Sequence, residues 1–145
     1  MKVILQRVTS AQVLVQNECV GKCSNGFCIL VGVQPTDTPT IIEKMANRIA
    51  NLRVFEDENK KMNLSLLDIK GSCLIVSQFT LLADCNSGRR PSFTGAGNPA
   101  QANELFNLFV SHMKQKGILV ETGIFGANMQ VEIHNDGPAT FILEG

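Results

Sequence analysis

Polar and apolar residues alternate in part from Lys2 to Thr9 and again from Ala11 to Gln16, where Val13 and Val15 stand between Gln12, Leu14 and Gln16. A period of two in β-favouring residues predicts half-exposed strands. Two other segments, Phe27 to Val33 and Ser72 to Val76, are short and almost wholly apolar. That pattern predicts strands covered on both faces. Ser24-Asn25-Gly26 before the first of them suggests a hairpin turn. Helical spacing occurs twice. Ile41, Ile42, Met45, Ile49 and Leu52 form one stripe behind Thr38-Pro39, a capping hydroxyl followed by a first-turn proline. Ala102, Leu105, Phe106, Phe109 and Met113 form the other, opened by Asn98-Pro99 and closed by Gly117. Further strands are expected at Leu52 to Phe55, Ile118 to Thr122, Met129 to His134 and Ala139 to Leu143, with a short helix near Leu64 to Asp68. Strands outnumber helices, so each helix must lay its apolar side on a sheet. The reading is a layered α/β domain spanning residues 1–145 with two long helices.

The 145-residue length suits one domain, and 44% hydrophobic content argues against disorder. Lys and Arg together number 13, as do Asp and Glu, so the net charge is zero. A generally basic nucleic-acid binder is excluded, and any polyanion must be held by a local cluster. No apolar run approaches the roughly 18 residues of a membrane span. Gln6 and Arg7 interrupt the N-terminal apolar run too early for a signal peptide, so the chain is expected in the cytoplasm. Five scattered cysteines without a Cys-x-x-Cys pair suit reduced thiols rather than disulfides or zinc. Cys28 and Cys73, inside apolar runs, are expected in the core.

The familiar nucleophile, phosphate-loop and metal motifs are missing, and neither a metal nor a cofactor is expected. His112 lies off the stripe of its helix and is expected to be solvated. His134 ends a strand, where a structural hydrogen bonder and a base are both open. Two segments do interrupt apolar strands with polar groups. Ser77-Gln78-Phe79-Thr80-Leu81 would present hydroxyls, an amide and backbone N–H groups at a strand end, although a plain strand exit has the same composition. Asn135-Asp136-Gly137-Pro138-Ala139-Thr140 reads as a hairpin turn. A cis Gly-Pro bond there would aim two neighbouring carbonyls in one direction. Between these segments, Asp84 to Pro99 forms a long loop whose only charge cluster, Arg89-Arg90, suits phosphate oxygens or plain solvation.

Taken together, the opening Met-Lys-Val-Ile-Leu-Gln-Arg-Val-Thr-Ser-Ala-Gln-Val, Ser77 to Leu81, Arg89-Arg90-Pro91-Ser92-Phe93 and Asn135 to Pro138 resemble the D-aminoacyl-tRNA deacylase family, end to end and in order. Ala139 departs from the family's usual valine. The resemblance implies mixed, mostly antiparallel, barrel-like sheets covered by two long helices. It also implies a homodimeric proofreading enzyme that hydrolyses the ester of D-aminoacyl-tRNA, and of glycyl-tRNA, and rejects the L form. Ser77, Gln78, Phe79 and Thr80 would line the catalytic pocket, with the N–H groups of Phe79 and Thr80 stabilising the oxyanion. Gly137 and Pro138 would enter the partner subunit's site in cis, fixed by Arg7. Phe125 and Met129 would border the 3′ terminal adenosine of the tRNA. Neither DNA nor a membrane is an expected partner. Thr80 is a poor nucleophile without a base, so the resemblance favours water activated by the tRNA 2′-hydroxyl.

Three other readings compete. A sibling editor of L-aminoacyl-tRNA would carry the Gly-Pro motif in trans, and Phe79 with the Asn-Asp lead-in argues for the D-specific branch. A non-catalytic RNA-binding module would use the Arg89-Arg90 loop, but neutral charge and eight aromatics, all Phe, make it a weak platform. A small-molecule esterase would need the triad that the sequence lacks.

Overall fold

The computed structural model describes residues 1–86 and 88–145; Ser87, in the expected Asp84 to Pro99 loop, lies outside the described residues. Strand β1 (Lys2–Val15) is the spine of the main sheet. One of its edges pairs antiparallel with β8 (Gln130–Glu144) along nearly its whole length. The other edge pairs antiparallel with β3 (Gly26–Gly32) from Lys2 to Val8, then with β2 (Glu18–Cys23) from Ala11 to Val15. The two segments expected at the N-terminus are therefore one continuous strand.

The β1–β2 hairpin turns at Gln16-Asn17, both with positive φ (52° and 66°), which matches a two-residue type I′ turn. Ser24-Asn25 joins two strands lying end to end along β1 instead of turning a hairpin, which corrects that expectation. Beyond β3 follow β6 (Ser72–Ser77) and β7 (Leu119–Thr122), each parallel to its neighbour. The sheet then curls until β2 meets β7, where the Lys22 N–H donates to the Glu121 carboxylate at 2.8 Å. This is the barrel-like, mixed α/β architecture that the resemblance implied.

Helix α1 (Pro39–Ala50) starts where Thr38 Oγ1 accepts from the Ile41 N–H, and α2 (Pro99–Gln115) where Asn98 Oδ1 accepts from the Ala100 N–H at 2.9 Å. Both helices bury their stripes against Val3, Leu5, Phe27, Ile29, Val31, Cys73 and Ile75. Fully burying a side chain such as Phe27 or Phe109 contributes about 1.5 to 3 kcal/mol. The opposite face of the same strands buries Val8, Val13, Cys28, Leu74 and Val76. Apolar residues on both faces explain the unbroken runs in β3 and β6.

Local expectations fail where tertiary pairing overrides them. Leu52 lies past the end of α1 and packs on the core from the following segment. The expected Leu52 to Phe55 strand is reduced to β4 (Phe55–Glu56), which pairs with β5 (Met62–Leu64) in a separate small sheet. Near Leu64 to Asp68 there is a single hydrogen-bonded turn rather than a helix. Ser65 and Asp68 cap it reciprocally and Lys70, at φ 51°, ends it. The expected Met129 to His134 strand starts one residue later, at Gln130, and runs on through Ala139 to Leu143 as one strand, β8, so the expected hairpin between them is absent. Among the described residues no helix is long and apolar enough to cross a membrane.

Candidate active site

Strand β6 stays bound to β3 up to its last residue, because the Gln78 N–H still donates to the Val31 carbonyl at 2.7 Å. The chain then tightens into a 3₁₀ helix, Phe79–Leu82, with the Leu81 N–H on the Gln78 carbonyl at 3.2 Å. Gly32 leaves room for the corner. A Cβ there would stand 3.2 Å from the Gln78 carbonyl oxygen and 3.3 Å from side-chain atoms of Leu81 and Leu82, tighter than ordinary contact. The Gln78 side-chain amide donates to Thr80 Oγ1, which orients both groups at the corner. The first N–H groups of a helical turn have no partner within it. Among the described residues no acceptor meets the N–H of Phe79 or Thr80. Two adjacent backbone donors are thus available to an anionic oxygen.

Two hollows flank the corner. One, about 70 Å³, lies under Ser77 to Phe79 against Phe106 and Phe125, whose ring centroids are 6.1 Å apart. The other, about 240 Å³ and more open, runs from Ser77 to Phe79 across to Asn128 and Met129. Neither hollow is lined by a carboxylate, histidine, lysine or thiol. The nearby core thiols supply no nucleophile: burial pushes the Cys28 thiol up to about 12, and burial likewise drives Cys73 upward. What this corner can do chemically is position a carbonyl and stabilise charge developing on its oxygen.

The second polar segment forms a bulge. Gln6 pairs with Thr140 and Val8 with Asn135, so Asp136, Gly137, Pro138 and Ala139 all stand opposite the single Arg7 of β1. Arg7, 6% exposed, pins the base of the bulge. Its Nε donates to the Asp136 carbonyl at 3.1 Å and meets the Asp136 carboxylate at 2.9 Å, while Nη1 donates to the Val54 carbonyl at 2.6 Å. Ala139, at the usual valine position, is buried, whereas Gly137 and Pro138 are exposed at the tip. The Gly137–Pro138 peptide is cis. A Cβ on Gly137 would overlap the Asn135 amide nitrogen.

The structure therefore gathers Ser77, Gln78, Phe79, Phe125 and Met129 around the two hollows, with Thr80 exposed beside them. It does not bring Gly137, Pro138 or Arg7 to them. The bulge lies across β1 and β3 from β6, three strand spacings or roughly 14 Å away. His134 is exposed and lines a separate groove with Lys22 and Glu132, and His112 is half-buried rather than solvated. Sequence reasoning passed over Gly32, Val31 and Phe106. For Gly32 the only signal was a glycine at the end of an otherwise branched, apolar strand.

A family model described as D-Tyr-tRNA(Tyr) deacylase matches residues 4–144. The D-aminoacyl-tRNA deacylase of Exiguobacterium sibiricum is 52% identical over 144 residues, covering 99% of each chain. That of Fervidobacterium nodosum is 50% identical over 144 residues, covering 99% of this chain and 97% of the relative. A solved structure described as c-Myc DNA Unwinding Element Binding Protein has a TM-score of 0.93 at 41% identity, covering 100% of this chain and 99% of its own. Another, described as a probable eukaryotic D-amino acid tRNA deacylase, shares the fold with a TM-score of 0.85 at 17% identity, covering 98% of this chain and 97% of its own.

Proposed function

The chain belongs to the D-Tyr-tRNA(Tyr) deacylase family, and from that premise we propose that it hydrolyses the ester joining a D-amino acid to the terminal adenosine of tRNA, releasing both. The observation that carries the reading is the pair of uncommitted N–H groups on Phe79 and Thr80, set beside hollows that no ionisable side chain lines. In acyl transfer such donors act on the oxyanion of the tetrahedral intermediate, a contribution of about 3 kcal/mol for a single donor in well-studied cases. With no side-chain base at hand, water attacks the ester carbonyl, and the adjacent tRNA 2′-hydroxyl accepts its proton while passing its own to the 3′ oxygen as the C–O bond breaks. The tRNA leaves with its hydroxyl restored and the amino acid leaves as the carboxylic acid. Ser77 and Gln78 orient the ester, and Phe125 and Met129 border the adenosine.

Chirality is read by a second copy of the chain. The two hollows, at about 70 and 240 Å³, are each smaller than the roughly 300 Å³ at which small-molecule sites begin. The Gly137–Pro138 tip, pinned at its base by Arg7, is exposed and idle within its own chain. In a homodimer the tip of one subunit closes the corner of the other. Its carbonyls then accept from the substrate ammonium and occupy the space an L side chain would need. A glycyl ester, with no side chain, also passes. Residues 1–145 act as one domain in the cytoplasm, where charged tRNA is found.

Purified protein incubated with D-tyrosyl-tRNA and with L-tyrosyl-tRNA tests the reading: the D ester is lost and the L ester persists. Equal loss of both would overturn the filter, and stability of both would overturn the activity. Duplex DNA binding, suggested by the name of the 41%-identical relative of known structure, is the competing reading. Zero net charge argues against it. Salt-sensitive duplex binding without ester loss would favour it.

A further inference from the structure

Phe79 and Phe93 are the aromatic side chains left most open to solvent among the described residues, at 58% and 42% exposure. Their rings meet edge to face with centroids 5.2 Å apart and planes at 60°. Phe93 stands on well-tied backbone. Asp84 and Ser92 exchange N–H to carbonyl bonds of 2.8 and 3.0 Å, the Ala96 N–H donates to the Phe93 carbonyl at 3.0 Å, and the Gly97 N–H donates to Val33 at 3.1 Å. An apolar ring fixed in water at the edge of a polar corner has an exposed π-face and no intramolecular use for it. A few residues earlier in the same loop stand Arg89 and Arg90, both exposed, and among the described residues neither takes part in an ion pair.

We propose that this corner holds the single-stranded 3′ end of the substrate RNA just upstream of the terminal adenosine. The preceding base stacks on Phe93, and Arg89 with Arg90 takes the phosphates on its 5′ side. The proposal rests on the deacylase reading, which sets the adenosine beside Phe125 and Met129, across the hollows that Phe79 also lines. Exposed aromatics beside guanidinium groups are the recurring means of holding unpaired nucleotides, because every base offers a π-face and every nucleotide a phosphate. The planar fork of arginine suits phosphate oxygens in a way that lysine would not. On a chain of zero net charge this pair also confines electrostatic attraction to the mouth of the site.

The test compares two substrates, D-tyrosyl-tRNA and D-tyrosyl-adenosine, the second lacking every upstream nucleotide. Phe93→Leu keeps an apolar cover on Phe79 but removes the π-face. It raises KM for the tRNA ester about tenfold, within the range of one lost base stack, leaves kcat unchanged and leaves the adenosine ester unaffected. Phe93→Tyr restores KM. The double variant Arg89→Gln with Arg90→Gln raises KM for the tRNA ester about tenfold at low salt. It also flattens the salt dependence, in a log–log plot, by roughly 0.7 for each phosphate that is no longer neutralised. Equal losses on both substrates, or an unchanged KM for the tRNA ester, would overturn the proposal. If the unaltered protein cleaved neither ester, the deacylase reading would fall. Fluorescence anisotropy with an uncharged RNA hairpin ending in single-stranded CCA would then decide the surface alone: about tenfold weaker binding by the double variant supports it and unchanged binding overturns it.

Discussion

The Ser77–Thr80 corner and the Asp136–Ala139 bulge both push backbone polar groups out of a sheet, and they do so in opposite ways. The corner is embedded. It is bonded to β3 through the Gln78 N–H, seated on Gly32 and walled by Phe106 and Phe125. The bulge is fastened at its base by two contacts from a buried arginine, itself anchored on the Val54 carbonyl, and its tip at Gly137–Pro138 is exposed. A concave, prearranged surface without a lid and a protruding tip without a socket are set apart within a single chain by strand order. That difference is the ground for the proposed homodimer, in which the tip of one chain would serve as the missing wall of another's corner.

Blocking the tip should have the largest effect. Gly137→Val sets a branched side chain against Asn135 and, in the proposed cross-subunit arrangement, would fill the space of the substrate ammonium, so kcat/KM for D-tyrosyl-tRNA should fall about a thousandfold with the fold intact by circular dichroism. Mixing sharpens the comparison. Gly137→Val has a sound corner, and Gly32→Val, whose side chain would crowd the Gln78 carbonyl, Leu81 and Leu82 and so displace the corner, has a sound tip. A co-refolded mixture of these two impaired proteins should therefore regain part of the wild-type rate. A mixture that stayed dead would mean that each chain completes its own site.

Arg7→Ala should come next. It removes the guanidinium that holds the Asp136 carbonyl and carboxylate and the Val54 carbonyl. Losing a buried charged donor costs about 2 kcal/mol, and for a domain of this size that lowers Tm by roughly 5 to 8 °C. Turnover should drop about a hundredfold because the tip loses its aim. Arg7→Lys should rescue little, since an ammonium cannot span Asp136 and Val54 in one plane. Loss of stability with unchanged turnover would reduce Arg7 to a structural residue. Thr80→Ala should have a smaller effect, under about tenfold, because the backbone N–H survives the change. Complete loss of turnover in folded Thr80→Ala would make its hydroxyl the nucleophile and give the corner a chemistry of its own.

The corner was legible in the sequence because its cause is local: an apolar strand, Cys73 to Val76, stops at a run of polar residues. The helices were legible for the same reason, through Thr38-Pro39 and Asn98-Pro99. The bulge was not, because Asn-Asp-Gly-Pro has the local grammar of a turn. It becomes a bulge only because Gln6 and Val8 hold Thr140 and Asn135 in one ladder. Strand β2 escaped notice because its hairpin turns on Gln16-Asn17, with no glycine to announce positive φ. Gly32 escaped because the atoms that require it, on Gln78, Leu81 and Leu82, come much later in the chain. In each case the deciding contact was distant in sequence.

The comparison would also break if a thiolate served the corner after all, and this sets the prediction with the smallest expected effect. Cys28 and Cys73 lie within the sheet that carries both regions, yet burial raises both thiols, Cys28 to about 12 from an ordinary 9.0. A thiol whose proton is held more tightly in the folded state stays unionised and unreactive at pH 8. Iodoacetamide at that pH should therefore label the exposed Cys19 and Cys85 in the native protein, reach all five cysteines only in denaturant, and leave ester hydrolysis unchanged. The same shift fixes the sign of a stability effect. Above about pH 9 the unfolded chain releases protons that the folded chain retains, so the contribution of these thiols is complete below that pH and is lost as pH rises toward 12. Tm should show no dependence on these thiols between pH 6 and 8, and Cys28→Ala should lessen the decline seen above pH 9. Native labelling of Cys28 accompanied by loss of turnover would show instead that the corner depends on a thiolate and does not work by positioning alone.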